Sequence, residues 1–397
     1  MNAVATQEQT TFAPWPFFEP DEIEAANTVL SSGKVNYWTG TEGRRFEEEF
    51  ADFAGVRHAI ALANGTVALE AAFEALGIGP GGEVILTPRT FLASASAIVR
   101  VGATPVFADI DHRSGNFDIN CVEAAITSRT RAILAVHLGG WPCDMSRLMD
   151  LASAKGIHVV EDCAQAHGAS YAGRSVGSFG IISAWSFCQD KIITTAGEGG
   201  MVTTDDEALW NSMWSLKDHG KSFDAVYRRE HKPGFRWLHE SFGTNWRLPE
   251  VQSAIGRIQL RKLPEWHRLR TEHAEALLNA WEDLSGLRCE RPGPDEHHAY
   301  YKFYAYVRPE ALTDGWTRDR IMEEIVAAGV PCFTGSCSEI YLEKAFATRS
   351  LNQPERLPVA KELGETSLMF LVHPTLDERA MSRTADVVRS VMLKATR

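Results

Sequence analysis

The stretch Ile157-His158-Val159-Val160-Glu161-Asp162-Cys163-Ala164-Gln165 is a short apolar run that ends in a carboxylate and an amide. Similar apolar runs, separated by segments with apolar residues at helical spacing, occupy 83–86, 104–110, 131–138, 182–187 and 201–204. This alternation, from about residue 55 to 205, is typical of an α/β fold with a mostly parallel sheet between helices. The sequence therefore predicts that fold class for the larger part of the chain.

A lysine follows another of these runs, in Ser186-Phe187-Cys188-Gln189-Asp190-Lys191, and the cluster Gly197-Glu198-Gly199-Gly200 comes soon after. Glycines permit close backbone approach and unusual dihedral angles. A lysine in such a loop can form an imine with an aldehyde cofactor when burial or a neighbouring cation lowers its pKa. Taken alone, Lys191 could equally be a solvated surface lysine.

Ligands of open α/β sheets collect at the carboxyl ends of the strands, where Asp109, Asp162 and Ser186 are predicted to lie. A carboxylate at Asp162 could keep a pyridine nitrogen protonated and so make the ring an electron sink. The alternative is that Asp162 caps a helix that starts near Ala164. If that stretch is helical, Gln165 faces the same way and could donate to a ring hydroxyl.

The triplet Asn64-Gly65-Thr66 precedes a predicted helix that begins at Val67. Free amides and the helix dipole make such a start a phosphate site, although a simple helix cap is the alternative. Ser186 and the glycine cluster could donate to the same phosphate. Phe91 could stack on a cofactor ring or belong to the core. A lysine, an aspartate and an anion-binding serine together suggest pyridoxal 5′-phosphate.

Composition excludes several classes of function. The formal net charge of −12 argues against nucleic acid as a partner, because nucleic-acid binding relies on basic patches. No apolar run of about 18 residues and no secretory signal is present, so no membrane span and a cytoplasmic location are expected. Cys332 and Cys337 do not match the usual zinc spacing, and no metal site is predicted.

The sequence pattern changes after Trp246, from alternating strands and helices to amphipathic helices. Amphipathic helices are predicted at 249–263 and 266–284, followed by a Pro/Gly/His-rich break at 291–298. Beyond the break, the pattern predicts a strand at 301–307 and helices at 317–328 and 380–394. We therefore predict a large domain over residues 1–265, which would bind the cofactor, and a small C-terminal α+β domain over 266–397.

An ordered series of motifs spans nearly the whole chain. It includes Gly40-Thr41-Glu42-Gly43, Asn64-Gly65-Thr66-Val67-Ala68-Leu69, Glu161-Asp162-Cys163-Ala164-Gln165, Gly197-Glu198-Gly199-Gly200 and Gly243-Thr244-Asn245-Trp246-Arg247. In these motifs the chain resembles the DegT/DnrJ/EryC1/StrS sugar aminotransferases. The resemblance implies fold type I, the architecture of aspartate aminotransferase, and pyridoxal 5′-phosphate as cofactor.

The resemblance also implies roles for individual residues. Lys191 would be the imine-forming catalytic lysine, Asp162 the partner of the pyridine nitrogen, Gln165 a neighbour of the ring hydroxyl, Phe91 the stacking ring, and Gly65, Thr66 and Ser186 the phosphate site. Asn245 would reach the phosphate of the neighbouring subunit's cofactor, which implies a homodimer with shared active sites. Two positions depart from the family pattern: Asn64 replaces a usual serine, and Lys302 replaces a common histidine.

By resemblance, the amino donor would be L-glutamate and the acceptor a nucleotide-linked keto-deoxysugar. The sub-branch suggested by residues 34–40 and 185–191 acts at C4 of UDP-2-acetamido-2,6-dideoxy-4-keto-hexoses, for surface polysaccharide of the O-antigen type. Alternatives are a dTDP- or GDP-linked 3- or 4-keto sugar, a non-catalytic regulator of the same fold, and a dehydratase, although dehydratases carry histidine in place of Lys191. Candidate cations for the diphosphate are Lys34, Arg89, Arg236 and Arg247.

Overall fold

The computed structural model describes residues 12–349, 351, 353 and 355–396. Within this part of the chain the strands are β1 (His58–Leu62), β2 (Glu83–Leu86), β3 (Thr104–Phe107), β4 (Thr130–Val136), β5 (His158–Asp162), β6 (Ser170–Tyr171), β7 (Arg174–Ser175), β8 (Ile182–Ser186), β9 (Gly200–Thr204), β10 (Leu287–Arg288), β11 (Glu296–His297), β12 (Phe303–Val307) and β13 (Ser367–Phe370). The helices are α1 (Pro20–Ser32), α2 (Glu42–Ala54), α3 (Gly65–Ala75), α4 (Leu92–Arg100), α5 (Ile119–Ala125), α6 (Met145–Lys155), α7 (Glu207–Lys217), α8 (Phe223–Tyr227), α9 (Glu250–Trp281), α10 (Arg318–Ala327), α11 (Lys344–Thr348), α12 (Pro358–Thr366) and α13 (Glu378–Ala395).

The large sheet has seven strands in the order β1-β9-β8-β5-β4-β2-β3. Only β9 runs against the others, because it pairs antiparallel with both β1 and β8 while the remaining pairs are parallel. The predicted α/β class with a mostly parallel sheet is therefore confirmed. The parallel strands β5 and β8 are neighbours, so their carboxyl ends lie side by side at one edge of the sheet.

Both faces of this sheet are buried, which explains the nearly continuous apolar runs in the sequence. Successive strand residues point to opposite faces. Leu62, Leu86 and Leu134 pack with α3, α4 and α7, whereas Ile85 and Ile133 pack with α5 and α6 on the other face. Helices α2 and α9 cover the rest of that second face. The sheet is thus the middle layer of three.

The small sheet, β10-β12-β13, is antiparallel and packs against α10, α13 and the second half of α9. The two helices predicted at 249–263 and 266–284 are one helix, α9, with Pro264 in its interior. Proline removes one backbone hydrogen bond and disfavours a helix interior. The helix continues because Leu260 and Leu263 pack in the large domain and Leu277 and Trp281 pack in the small one.

The predicted division at residues 265 and 266 falls inside α9 and stays a prediction. Two segments pack against the core of the domain to which the predicted division does not assign them. Phe12 lies against the core of the small sheet, and Tyr341 and Phe346 pack in the core of the large one. The two hydrophobic cores are distinct, but the chain passes between them more than once.

Most predicted strands lie within two or three residues of the observed ones. The largest difference is at the carboxyl end of the 104–110 run, where β3 ends at Phe107. The predicted runs omit β1, β13 and the two-residue strands β6, β7, β10 and β11. No helix of the described residues combines the length and the apolar character that crossing a membrane requires.

Candidate active site

A cavity of ≈ 820 Å³ opens where the carboxyl ends of β5 and β8 meet the start of α3. Seven residues predicted from the sequence line it: Gly65, Thr66, Phe91, Asp162, Gln165, Ser186 and Lys191. Residues of the small domain, among them Tyr301, Lys302 and Tyr304, form the facing wall. The fold therefore brings together side chains that are more than a hundred positions apart in sequence.

Asp162, the last residue of β5, is buried in the wall of the cavity with 7% of its surface exposed. Its carboxylate accepts hydrogen bonds from the Ser94 hydroxyl at 2.8 Å and from the Ala164 amide at 3.2 Å. Burial raises the pKa of the Asp162 carboxyl, and these two hydrogen bonds oppose the rise only in part. A buried carboxylate of this kind fits a protonated pyridine nitrogen, which would supply the missing opposite charge.

The backbone of Lys191 is hydrogen-bonded through both its amide and its carbonyl group. Its amide donates to the Cys188 carbonyl at 3.0 Å, and its carbonyl accepts from the Trp15 indole at 2.8 Å. The Lys191 Nζ lies 4.9 Å from the centre of the Tyr301 ring. The Tyr301 hydroxyl in turn donates to the Asp190 carboxylate at 2.5 Å, so a small-domain side chain clamps the lysine loop.

The start of α3 forms the end of the cavity next to Ser186. Asn64 caps this helix, its Oδ1 accepting from the Val67 amide at 3.0 Å, so the residue that departs from the family pattern performs the capping role. A Cβ on Gly65 would come within 2.7 Å of the Ser186 Cβ, and one on Gly200 within 2.4 Å of the Asn64 backbone. Glycine is needed at both positions to keep this end open. Free helix amides beside a serine hydroxyl suit a phosphate.

The stretch after β5 is a turn and not the helix that would have started near Ala164, since the Ala166 amide bonds to the Cys163 carbonyl at 2.9 Å. Gln165 nevertheless lines the cavity. Its Oε1 accepts from the Gly139 amide at 2.7 Å, which leaves the side-chain NH₂ group free to donate into the cavity. The turn thus achieves the orientation that the helix would have given.

Phe91 caps the start of α4 and lines the cavity with 71% of its surface exposed, so a planar ring can lie against it. Together the exposed ring, the buried carboxyl of Asp162, the loop lysine and the open helix start fit pyridoxal 5′-phosphate. The cavity thus offers a group of suitable chemistry for the ring, the pyridine nitrogen, the aldehyde and the phosphate of that cofactor.

Asn245 is exposed and lies outside this cavity; its backbone bridges to Asp218. The suggested diphosphate role of Arg89 is wrong for this cavity, because the side chain is fully buried with its guanidinium over the rings of Tyr304 and Tyr306. Arg247 pairs with Asp218 at 2.7 Å. Lys34 and Arg236 are exposed and likewise do not line the cavity.

Several polar cavity residues lay outside the sequence-based site, among them Ser94, Tyr301, Tyr304 and Ser336. Ser94 stands in the first turn of α4, three residues after Phe91, so helical spacing could have placed it near that ring. Tyr301, Tyr304 and Ser336 lie in the small domain. No local pattern in the sequence shows which of its loops faces the cavity.

A buried network fixes the strand that carries Asp162. Glu161 points to the opposite face, where its carboxylate accepts from His137 at 3.1 Å and from the Gly177, Phe179 and Gly180 amides at 2.7–2.8 Å. Burial raises the pKa of Glu161, but the hydrogen bonds from His137 and the backbone outweigh it and leave the pKa lowered. The His137 Nδ1 accepts from the Cys143 amide, so this cluster is hydrogen-bonded within the protein and does not offer a metal site.

Comparison with known proteins gives a consistent family assignment. The family model of the DegT/DnrJ/EryC1/StrS aminotransferase family matches residues 17–389. The chain is 37% identical to the UDP-N-acetyl-3-dehydro-alpha-D-glucosamine 3-aminotransferase of Acidithiobacillus ferrooxidans, over 90% of each chain. It is 33% identical to the spore coat polysaccharide biosynthesis protein SpsC of Bacillus subtilis, over 97% of this chain and 98% of that one.

Among solved structures, the aminotransferase from Psychrobacter cryohalolentis superposes with a TM-score of 0.96 at 55% identity, covering 97% of this chain and 100% of that chain. The match extends over both domains, and the expected fold and cofactor class are confirmed. The chain belongs to the DegT/DnrJ/EryC1/StrS aminotransferase family, and it is a pyridoxal 5′-phosphate-dependent aminotransferase of fold type I.

Proposed function

We propose that this enzyme moves the amino group of L-glutamate to the keto carbon of a nucleotide-linked deoxysugar, giving 2-oxoglutarate and an aminosugar. The observation that carries the proposal is the placement of Lys191 and Asp162 around one cavity at the carboxyl ends of β5 and β8. Pyridoxal 5′-phosphate, when bound, supplies an electron sink for the carbon that bears the amine.

Lys191 and Asp162 have different roles in the proposed amino transfer. Lys191 would hold the cofactor through Nζ and would accept the proton from the donor's Cα. Asp162 keeps the pyridine nitrogen protonated, and its burial strengthens that interaction because few water molecules screen it. The hydrogen bond from Tyr301 to Asp190 ties the residue next to Lys191 to the facing wall of the cavity.

The remaining predicted residues hold the cofactor. Gly65, Thr66 and Ser186 bind its phosphate at the start of α3, Phe91 stacks on its ring, and Gln165 donates to its ring hydroxyl. Each proposal is supported by the position of these groups in the same cavity.

For the acceptor we propose a UDP-linked 2-acetamido-2,6-dideoxy-4-keto-hexose aminated at C4, with surface polysaccharide as the destination of the product. The relative named for spore coat polysaccharide supports that destination. Amination at C3 of a UDP-linked N-acetyl sugar is the second candidate, favoured by the 37% identical relative that is named as a 3-aminotransferase.

We also propose a homodimer in which Asn245 reaches the cofactor phosphate of the neighbouring subunit. Asn245 is exposed, and the segment before it carries three exposed aromatic side chains, Phe235, Trp237 and Phe242, with 79%, 86% and 102% of their surface accessible. Exposed apolar clusters of this kind mark protein–protein contacts.

The visible spectrum of the purified protein with pyridoxal 5′-phosphate tests the chemistry. We expect an absorbance band that Lys191→Ala abolishes and that L-glutamate converts to the pyridoxamine form. Lys394→Ala, at an exposed lysine of α13, is the matched control and should leave both properties unchanged. A wild-type protein whose spectrum does not respond to the cofactor contradicts the proposal.

A panel of UDP-, dTDP- and GDP-linked 3-keto and 4-keto sugars tests the substrate. The amine product of each is detected by mass spectrometry, and its position on the ring by NMR. Turnover of the UDP-linked 4-keto sugar alone supports C4, and turnover of the 3-keto sugar alone supports the second candidate. Turnover confined to dTDP or GDP sugars excludes both.

A further inference from the structure

Lys302 stands at the wall of the cavity, immediately before β12, and borders the same aromatic ring as Lys191. Its Nζ lies 4.7 Å from the centre of the Tyr301 ring, and the Lys191 Nζ lies 4.9 Å from it. The Lys302 amide donates to the Gly139 carbonyl at 3.3 Å, which fixes the backbone beside the turn of Gln165. The ammonium group therefore lies at the cavity wall, beside the ring that Lys191 also borders.

Among the residues that the structure describes, none accepts a hydrogen bond from the Lys302 Nζ, and none forms an ion pair with it. Lys302 is half-buried and lines the cavity, so an anion bound there can reach its ammonium group and form a charge-assisted hydrogen bond. Such a residue points to a ligand that completes its interactions.

Charged and titratable side chains from several elements lie around Lys302. Asp190, Lys191, Arg270, Tyr301 and His373 surround it. Burial lowers the pKa of Lys302 to about 8, Asp190 offsets this in part, and Arg270 and Lys191 lower it further. The side chain is thus mostly cationic below pH 8 and loses its charge in mildly alkaline solution.

The described residues that line the cavity include only two cations, Lys191 and Lys302. Lys191 is engaged by the cofactor in the proposed function, and the buried Arg89 is not exposed to the cavity. Both substrates carry negative charge: the donor has two carboxylates and the sugar nucleotide a diphosphate. Lys302 is the cation available to one of them.

Distance from the reacting carbon distinguishes the two anions. The α-carboxylate of an amino acid is bonded to the carbon that loses its proton to Lys191. The diphosphate of a sugar nucleotide is separated from a keto carbon at C3 or C4 by the anomeric oxygen and part of the sugar ring. A cation that borders the same ring as Lys191 suits the nearer group.

We infer that Lys302 binds the α-carboxylate of the amino donor and selects an amino acid as the first substrate. The inference rests on the proposed function. It gives a role to the residue at which the chain departs from the family's common histidine, and to an ammonium group that has no hydrogen-bond acceptor among the residues that the structure describes.

The test compares Lys302→Met, Lys302→Arg and the control Lys394→Met as holoenzymes. The first half-reaction is followed by absorbance with L-glutamate, and the second by return of the cofactor band with the accepted keto sugar. Binding is measured separately by calorimetry with glutarate, which carries two carboxylates but no amine and cannot react.

We expect Lys302→Met to weaken L-glutamate and glutarate binding by about 10- to 100-fold, the usual effect of losing a charged hydrogen bond. The KM for the keto sugar should stay within about threefold of the wild-type value, and Lys302→Arg should restore most of the affinity. In the wild type, glutarate affinity should fall as the pH rises above 8, whereas Lys302→Arg should show no such fall.

Three outcomes overturn the inference. If Lys302→Met binds glutarate and L-glutamate as tightly as the wild type, Lys302 does not bind the carboxylate of the donor. Weakened keto-sugar turnover with intact donor binding assigns the residue to the diphosphate. Equal weakening of both half-reactions, with an altered cofactor spectrum, makes the residue structural. A wild-type enzyme that does not react with L-glutamate at all defeats the proposed function itself, which separates the two failures.

Discussion

Replacing Asp162 by asparagine should separate cofactor binding from stability. The substitution keeps the size of the side chain and an oxygen that can accept from the Ser94 hydroxyl, now 2.8 Å from the carboxylate. It removes the negative charge that faces the pyridine nitrogen in the proposed site. Because 93% of this residue is inaccessible to solvent, water cannot replace the lost charge.

The expected loss of cofactor affinity follows from the burial of the Asp162 side chain. Removing one member of a buried ion pair costs about 3–5 kcal/mol, which corresponds to a loss of about 150- to 5,000-fold in affinity. Asparagine can still donate to an unprotonated nitrogen, so we expect the lower end of that range for pyridoxal 5′-phosphate binding. Proton transfer should suffer more, because an unprotonated ring is a weaker electron sink.

The stability of the cofactor-free protein should move the other way. Burial raises the pKa of Asp162 above the usual 3.8, so the folded protein holds this proton more tightly than the unfolded chain does. The group therefore destabilises the fold as the pH rises above 3.8, and that cost is present at pH 7. Asp162→Asn lacks this cost, and its unfolding midpoint at pH 7 should equal or exceed that of the wild type.

The assays are absorbance titration with pyridoxal 5′-phosphate, the rate of conversion by L-glutamate, and urea unfolding of the cofactor-free protein. Asp109→Asn is the matched control: Asp109 is also buried near a strand end, but its carboxylate accepts from the Val359 and Ala360 amides at 3.0 Å. That variant should lose about 1–3 kcal/mol of stability and keep its cofactor affinity. The reasoning fails if Asp162→Asn binds the cofactor within threefold of wild type and reacts with L-glutamate at the wild-type rate.

Gly65→Val should weaken pyridoxal 5′-phosphate binding at least tenfold in the same titration, because its Cβ would lie 2.7 Å from the Ser186 Cβ; affinity within threefold of wild type would contradict this. Glu161→Gln should lower the free energy of unfolding at pH 7 by about 3 kcal/mol. Since the Glu161 pKa is lowered, its stabilisation is present above pH 4.5 and lost in acid, so urea unfolding at pH 4 should show a smaller difference. The double variant Phe235→Ser with Trp237→Ser should sediment as a monomer, and an unchanged dimer would exclude that surface as the interface.

The site residues at the strand ends could be predicted, because a short apolar run of consecutive residues is enough to indicate where a strand ends. Asp162 and Ser186 each end an apolar run, and neighbouring parallel strands bring their carboxyl ends to one edge whatever the rest of the chain does. The start of α3 at Gly65 has a similar local signal, since helix-capping residues precede an amphipathic pattern. The large domain and its half of the site follow from short-range patterns.

The facing wall could not be predicted in this way. Tyr301 bonds to Asp190 across 111 positions, and Ser94 bonds to Asp162 across 68. The first contact depends on how the small domain packs on the large one, and the second on how α4 packs beside the end of β5. Arg89 shows the same limit, because an arginine in a loop is usually exposed, yet here its guanidinium lies between aromatic rings of the small domain.

Helix α9 illustrates how packing overrides a local signal. Pro264 predicts a break, and the apolar pattern on each side predicts separate helices; burial of Leu260 in one core and Leu277 in the other stabilises a single helix.

The sequence by itself determined the sheet class and the positions of Asp162 and Lys191 after apolar runs, because short patterns along neighbouring strands specify them, and its ordered motifs carried the resemblance that implies the cofactor. Only the tertiary structure decided that Lys302 lines the cavity and that its ammonium group has no hydrogen-bond acceptor among the described residues, since its surroundings come from segments distant in the chain. The physical reason is that backbone periodicity is a property of consecutive residues, whereas burial and charge balance depend on which elements pack together.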